Sequence, residues 1–152
     1  MPVPMPAEIF TEEWARAWCR AADASASFRR AAAGWEGSIV AVLEADPELG
    51  FEADRRVFLD LSGEGCRAGR PATPADVESA VFVFSAPARV WSAVLAGETE
   101  PVWALMSGAI ALAKGSVPQL MPFAGAARAL FEAARGLPAE RPEGRPRAGG
   151  RG

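Results

Sequence analysis

The most informative stretch of the sequence is Phe82-Val-Phe-Ser-Ala-Pro-Ala-Arg-Val-Trp91, where a strand pattern changes into a helix pattern. Residues 79–84 alternate, with phenylalanines on one face and valines on the other, which indicates a β-strand. Ser85 is a suitable N-cap, and Pro87 falls in the first turn, where its missing N–H costs little. We therefore predict a strand over 79–84 and a following helix that ends at Gly97.

Further elements are predicted before this stretch, namely two helices and three strands, over residues 11–24, 25–33, 38–43, 55–61 and 66–70. Thr11 is the expected N-cap of the first helix, because apolar residues follow it at helical spacing. Residues 38–43 are apolar on both faces, which is typical of a central strand. The pair Thr73-Pro74 is interpreted as the start of a connection.

After the central stretch, the sequence predicts a short helix over 101–108, a last strand over 109–114 and a final helix over 117–135. This order of elements favours an α+β fold with one mainly antiparallel sheet and helices gathered on one side. One domain is expected over residues 8–137. Residues 138–152 are rich in Pro, Gly and Arg, and we expect them to be a disordered tail.

Composition excludes several classes of chemistry. The 152 residues contain no His, so a Ser-His-Asp triad and an imidazole metal site are impossible. The formal net charge of −3 argues against nucleic acid and against a permanent place on an anionic membrane. No apolar run approaches the roughly 18 residues of a membrane span, and the start lacks the basic region of a signal peptide. Two cysteines do not resemble a disulfide framework, so Cys19 and Cys66 are expected to be reduced thiols in a cytoplasmic protein.

No group of residues predicts catalysis, a metal site or a cofactor. Gly63-Glu-Gly-Cys-Arg-Ala68 matches a dinucleotide-binding pattern, but Gly69, Arg70 and Pro71 follow where a helix is required, so a hairpin is favoured. The acidic residues of 44–54 lack the spacing of a calcium loop. By contrast, five tryptophans, eight phenylalanines and four methionines are a large apolar content, typical of a ligand pocket or of an ordinary core.

The chain from Trp35 onward resembles the sterol-carrier-protein-2-like family of lipid-binding domains, in particular its small stand-alone prokaryotic branch. The resemblance covers about residues 8–136, and the matching segments are Trp35-Glu-Gly37, Phe58-Leu-Asp-Leu61, Cys66-Arg67, Phe82 to Trp91, Val94-Leu-Ala-Gly-Glu98, Pro101 and Leu105-Met-Ser-Gly108. It implies a five-stranded, mainly antiparallel sheet covered on one side by helices, with an apolar tunnel between them. It also implies binding or transfer of fatty acyl, sterol-like or other lipids without chemistry.

One strand departs from the family pattern. Relatives usually alternate charged residues with leucine in the last strand, whereas this chain has Ala109, Ala111 and Ala113 at the charged positions. The corresponding face of the sheet is therefore uncharged here. This change leaves a homodimer open as an alternative to a monomer.

The preferred interpretation is a cytoplasmic, non-catalytic carrier of an apolar lipid such as a fatty acid. Its ligand-binding residues are predicted to be Phe82, Phe84, Trp91, Leu95, Trp103, Met106, Leu120, Met121, Phe123 and Leu130. One alternative is an accessory module that presents an apolar substrate to a partner enzyme, or an enzyme whose only plausible nucleophile is Cys66. A second alternative is a module that dimerises through its apolar face.

Overall fold

The structure, a computed structural model, describes residues 9–137. The central strand of its sheet is β1 (Glu36–Glu44). The sheet has the order β3-β2-β1-β4-β5, and its other strands are β2 (Arg55–Ser62), β3 (Gly65–Pro71), β4 (Phe82–Pro87) and β5 (Ala111–Lys114). β1 and β4 run parallel, and the three other pairs are antiparallel. The predicted central strand and the five-stranded, mainly antiparallel sheet are confirmed.

Helices cover one face of this sheet and enclose the main core. They are α1 (Glu12–Asp23), α2 (Ala26–Ala31), α4 (Ala88–Leu95), α5 (Pro101–Ser107), α6 (Val117–Leu120) and α7 (Ala124–Ala133). The remaining helix, α3 (Pro74–Ser79), lies on the opposite face and is described below. The side chains of Ile39, Leu59 and Phe84 belong to this core, and alternation along each strand places them on the helical side. The α+β fold class predicted from the order of elements is confirmed.

The start of the first helix is determined by its N-cap, and its position by close packing against the sheet. Thr11 accepts a hydrogen bond from the Trp14 backbone N–H at 3.2 Å, as its predicted role as N-cap requires. Trp14 and Trp18 then lie buried on one face of α1. Gly69 of β3 permits the contact with α1, because a Cβ there would lie 2.5 Å from the carbonyl oxygen of Ala15.

The expected connection at Thr73-Pro74 is in fact the helix α3, which packs on the opposite face of the sheet. Thr73 and Asp76 form a capping box, with reciprocal side-chain to backbone hydrogen bonds of 3.1 and 2.9 Å. A second, smaller apolar cluster lies on this face, around Val40, Phe58 and Val83. The two apolar faces of β1 are explained by these two clusters.

The boundary between β4 and α4 lies later than predicted. β4 continues through Pro87, because its parallel pairing with β1 extends to the register Glu44↔Pro87. Ser85 is therefore a strand residue rather than an N-cap, and its hydroxyl donates a hydrogen bond to Glu44 at 2.7 Å. The N-cap of α4 is Pro87 instead.

The prediction of two reduced thiols is wrong, because the structure joins Cys19 and Cys66 in a disulfide. The two Cα atoms lie 5.3 Å apart, where α1 crosses β3. Sequence spacing alone did not indicate this pairing, since 47 residues separate the two positions. Disulfides persist in oxidising compartments, so the thiol argument for a cytoplasmic location is lost.

Two predictions about the ends of the chain concern residues outside the described range. The expected disordered tail, residues 138–152, and the first residue of the expected domain both lie there. Among residues 9–137, none of the helices combines the length and the apolarity that a membrane crossing requires.

Candidate functional site

An apolar cleft that is partly open to solvent lies between the sheet and the helices. Its lining consists of Phe28, Trp35, Ile39, Leu61, Phe82, Phe84, Leu120, Phe123, Ala126, Ala127 and Leu130. Its empty space of about 330 Å³ includes open solvent at the mouth, and the enclosed part is only about 30 Å³. The cleft is the candidate functional site.

The floor of the cleft is formed by three strands, on the face of the sheet that the helices cover. The register between β1 and β4 pairs Ile39 with Phe82, and the side chain of Phe84 follows two residues later on the same face. Leu61 of β2 completes the floor. Phe28 of α2 and the residues of α6 and α7 form the opposite wall.

Trp35 and Phe123 mark the open side, because both are only partly buried, whereas Phe28 and Phe84 are each 2% exposed. The rings of Trp35 and Phe123 meet edge to face with centroids 5.0 Å apart, and Trp35 also stacks on Phe82 at 5.7 Å. The indole N–H of Trp35 donates to the carbonyl oxygen of Gly37 at 3.1 Å. The one polar side-chain group of the lining is thus already paired within the protein.

No charged side chain belongs to the lining, so the cleft itself has no group that titrates near neutral pH. A nearby element, α5, begins at an ion pair in which Arg128 donates to the Glu100 carboxylate at 2.8 Å. This hydrogen bond lowers the pKa of Glu100 despite some desolvation, and it raises the pKa of Arg128. No cluster of metal-ligating side chains occurs within residues 9–137. Apolar contact is therefore the chemistry that the cleft offers to a ligand.

The structure brings half of the predicted ligand-binding residues into this lining, namely Phe82, Phe84, Leu120, Phe123 and Leu130. Trp91 lies in the core outside the lining, and the half-buried Leu95 packs against that core. The Trp91 indole N–H donates to the Val42 carbonyl oxygen at 2.9 Å. The remaining three are large exposed side chains: Trp103 is 61%, Met106 57% and Met121 46% exposed.

Sequence reasoning missed the other lining residues, which are Phe28, Trp35, Ile39, Leu61, Ala126 and Ala127. Ile39 lies in a strand that is apolar on both faces, so alternation gave no sign of which face meets the helices. Leu61 did alternate with polar neighbours, but alternation within β2 does not show that this side of the strand lies on the same face of the sheet as Phe82. Ala126 and Ala127 line the cleft because they are small, which is not a property that a search for large apolar residues detects.

Comparison with known proteins finds similar proteins among the solved structures. No family model matches the sequence, and no curated protein is found to be similar to it. Among solved structures, a crystal structure of sterol carrier protein 2 is similar at 40% identity and a TM-score of 0.76, over 85% of this chain and 98% of that chain.

A solution structure from Thermus thermophilus, of a conserved hypothetical protein that is possibly a sterol carrier protein, has 41% identity and a TM-score of 0.72. That match covers 84% of this chain and 87% of the other. Apo sterol carrier protein 2 from Yarrowia lipolytica has 16% identity and a TM-score of 0.54, over 90% and 98% of the two chains, and supports the fold alone. On the first two similarities, this chain belongs to the sterol carrier protein 2 family.

Proposed function

We propose that this protein binds an apolar lipid, such as a fatty acyl chain or a sterol-like molecule, in the cleft and transfers it without chemical change. The observation that supports this most strongly is the lining, in which every residue is apolar. Burial of apolar ligand surface stabilises a complex by about 25 cal/mol per Å² before the costs of association. With no unpaired polar group in the lining, we expect broad specificity.

Native mass spectrometry of the freshly purified protein, followed by organic extraction, is the first test. A discrete added mass that disappears on extraction and is recovered as an intact lipid is the expected result. A bare protein that also takes up neither fatty acids nor sterols would overturn the proposal. Uptake can be followed by tryptophan fluorescence, because Trp35 lies at the open side of the cleft.

Three charge substitutions locate the bound ligand. Phe123→Glu is expected to abolish uptake, because it places a carboxylate in the lining, where an apolar ligand would strip it of water. Leu49→Glu is the matched control, since Leu49 is 42% exposed in a turn that contributes nothing to the lining. Met106→Glu decides whether the site extends to the surface of α5, as the sequence interpretation proposes. Normal uptake by a folded Phe123→Glu variant would show that the ligand binds elsewhere.

A second candidate function is association, either as a homodimer or as an accessory module of an enzyme. It is favoured by the exposure of Trp103 and Met106, which lie one turn apart on α5, in a helix without a charged residue. Sedimentation velocity over a range of concentrations tests it. A mass that increases with concentration and becomes constant in Trp103→Ser supports association, and a monomer at all concentrations refutes the homodimer.

The carrier proposal includes a cytoplasmic location. The oxidation state of Cys19 and Cys66 in cells tests that location. Disulfides are rare in the cytoplasm, so a cytoplasmic pool should contain free Cys19 and Cys66 thiols that can be trapped by alkylation in intact cells. Fully oxidised protein in such cells would instead indicate an oxidising compartment.

A further inference from the structure

The inner end of the cleft is closed by aromatic rings. Phe84 lines the cleft, and behind it the ring of Phe131 meets Phe84 edge to face, with centroids 5.3 Å apart. Trp18 and Trp91 lie directly beyond Phe131, at 5.9 and 5.6 Å. These four side chains, here called the aromatic wall, are each no more than 2% exposed. The cleft therefore ends inside the core rather than at a second opening.

The aromatic wall is held in place by hydrogen bonds as well as by packing. The indole N–H of Trp18 donates to the carbonyl oxygen of Leu130 at 2.9 Å, next to Phe131 in the chain. The indole N–H of Trp91 donates to Val42 of β1 at the same distance. Phe10 packs on the far side, 5.3 Å from Trp91. Moving either indole aside would leave a buried donor unpaired, so displacement of these rings by a ligand is unfavourable.

We propose that the aromatic wall sets the length of the apolar chain that the cleft can enclose. Ligands are then short or compact apolar molecules, or longer chains of which one end lies inside the cleft and the rest stays outside it. This inference rests on the proposed function, since it names the class of ligand that the same cleft accepts. The closed inner end and the small enclosed volume of about 30 Å³ are the observations that carry it.

The proposal predicts a break in a chain-length series. Each additional methylene buried in an apolar site strengthens binding about fourfold. For saturated fatty acids from hexanoate to octadecanoate, affinity should rise at this rate until the chain end reaches Phe84 and Phe131. Beyond that length the affinity should stay nearly constant, because the added methylenes remain in water.

Removing one ring of the wall should shift the break. Phe131→Ala deletes the phenyl ring, which leaves room for about four chain carbons at the packing density of a protein core. We expect the break to move to chains about four carbons longer and the affinity for those chains to increase by up to about 250-fold. Phe58→Ala is the matched control, because it removes the same ring from the small cluster on the opposite face of the sheet. Its break should coincide with that of the unmodified protein.

The outcomes separate the inference from the proposed function. If Phe131→Ala does not fold, Phe131→Leu removes less volume, and a shift of about one carbon is expected. A break that stays in place in the folded variant, or affinity that rises about fourfold per methylene through octadecanoate in the unmodified protein, would overturn the length limit alone. If the unmodified protein binds no member of the series and no sterol, the proposed function fails and the length limit with it.

Discussion

Reduction of the disulfide between Cys19 and Cys66 is expected to lower the free energy of unfolding by about 4 kcal/mol while leaving the fold intact. The bond closes a loop across 47 residues, and the loop-entropy relation gives this value for a loop of that length at 25 °C. The bond is not the only contact of α1 with the rest of the protein, because Trp14 and Trp18 are also buried on one face of this helix. The loss should therefore come mainly from greater freedom of the unfolded chain.

For a chain of this length, 1 kcal/mol corresponds to about 2–4 °C in Tm, so we expect the reduced protein to melt about 12 °C lower. The measurement is thermal unfolding by circular dichroism with and without a phosphine reductant, with a thiol titration that finds two free thiols after reduction. A Cys19→Ala/Cys66→Ala double variant should melt like the reduced protein and should not respond to reductant. Alanine is preferred to serine because Cys19 is buried.

One result would refute this reasoning. If fully reduced protein melts within about 2 °C of the oxidised form, the loop-entropy argument fails for this chain. The unfolded state would then already hold α1 near β3, so that the bond adds little constraint.

Three single positions carry further predictions. Gly69→Ala should destabilise the protein by about 1–3 kcal/mol in urea unfolding, because its Cβ would press on the backbone of α1; an unchanged midpoint would contradict that contact. Gly115→Ala should lower Tm and weaken lipid uptake together, since Gly115 has a φ of +92° and a Cβ there would meet the Phe82 ring. Desolvation raises the pKa of Asp76, but hydrogen bonds from Thr73 and Arg70 outweigh it and leave the pKa below its usual value. This stabilisation is present above about pH 4 and is lost as pH falls through the lowered pKa, so the stability gap to Asp76→Asn should close in acid.

The order of elements could be predicted from the sequence because each boundary carries its own chemistry. Thr11 caps α1 as expected, and the final helix begins in two parts, α6 and α7, around Pro122. The helix α3 was missed because its signal, a Thr-Pro pair with an acidic residue three positions on, is also typical of a turn. The later end of β4 was missed because parallel pairing with a distant strand outweighed a local cap signal at Ser85.

The pairing of Cys19 with Cys66 depends on tertiary structure, which local pattern does not contain. The two residues meet only because α1 crosses the edge strand β3, and nothing within either segment specifies that crossing. The same limit applies to the cleft. Its floor combines residues from β1, β2 and β4, so its lining can be predicted only once the strand order and the buried face of each strand are known.

The tryptophans show how the surroundings of a residue, rather than its type, decide whether it serves the core, the site or the surface. Trp18 and Trp91 each pair their N–H with a backbone carbonyl in the core, and Trp35 does so at the open side of the cleft. Trp103 lies on α5, which is apolar on nearly all sides, and the buried positions of that helix include Ala104 and Leu105. A helix without a charged face gives little signal for which side is buried. The apolar content of this sequence therefore predicted that a pocket could exist, while the choice of lining residues required the packing of α5 and α7 to be known.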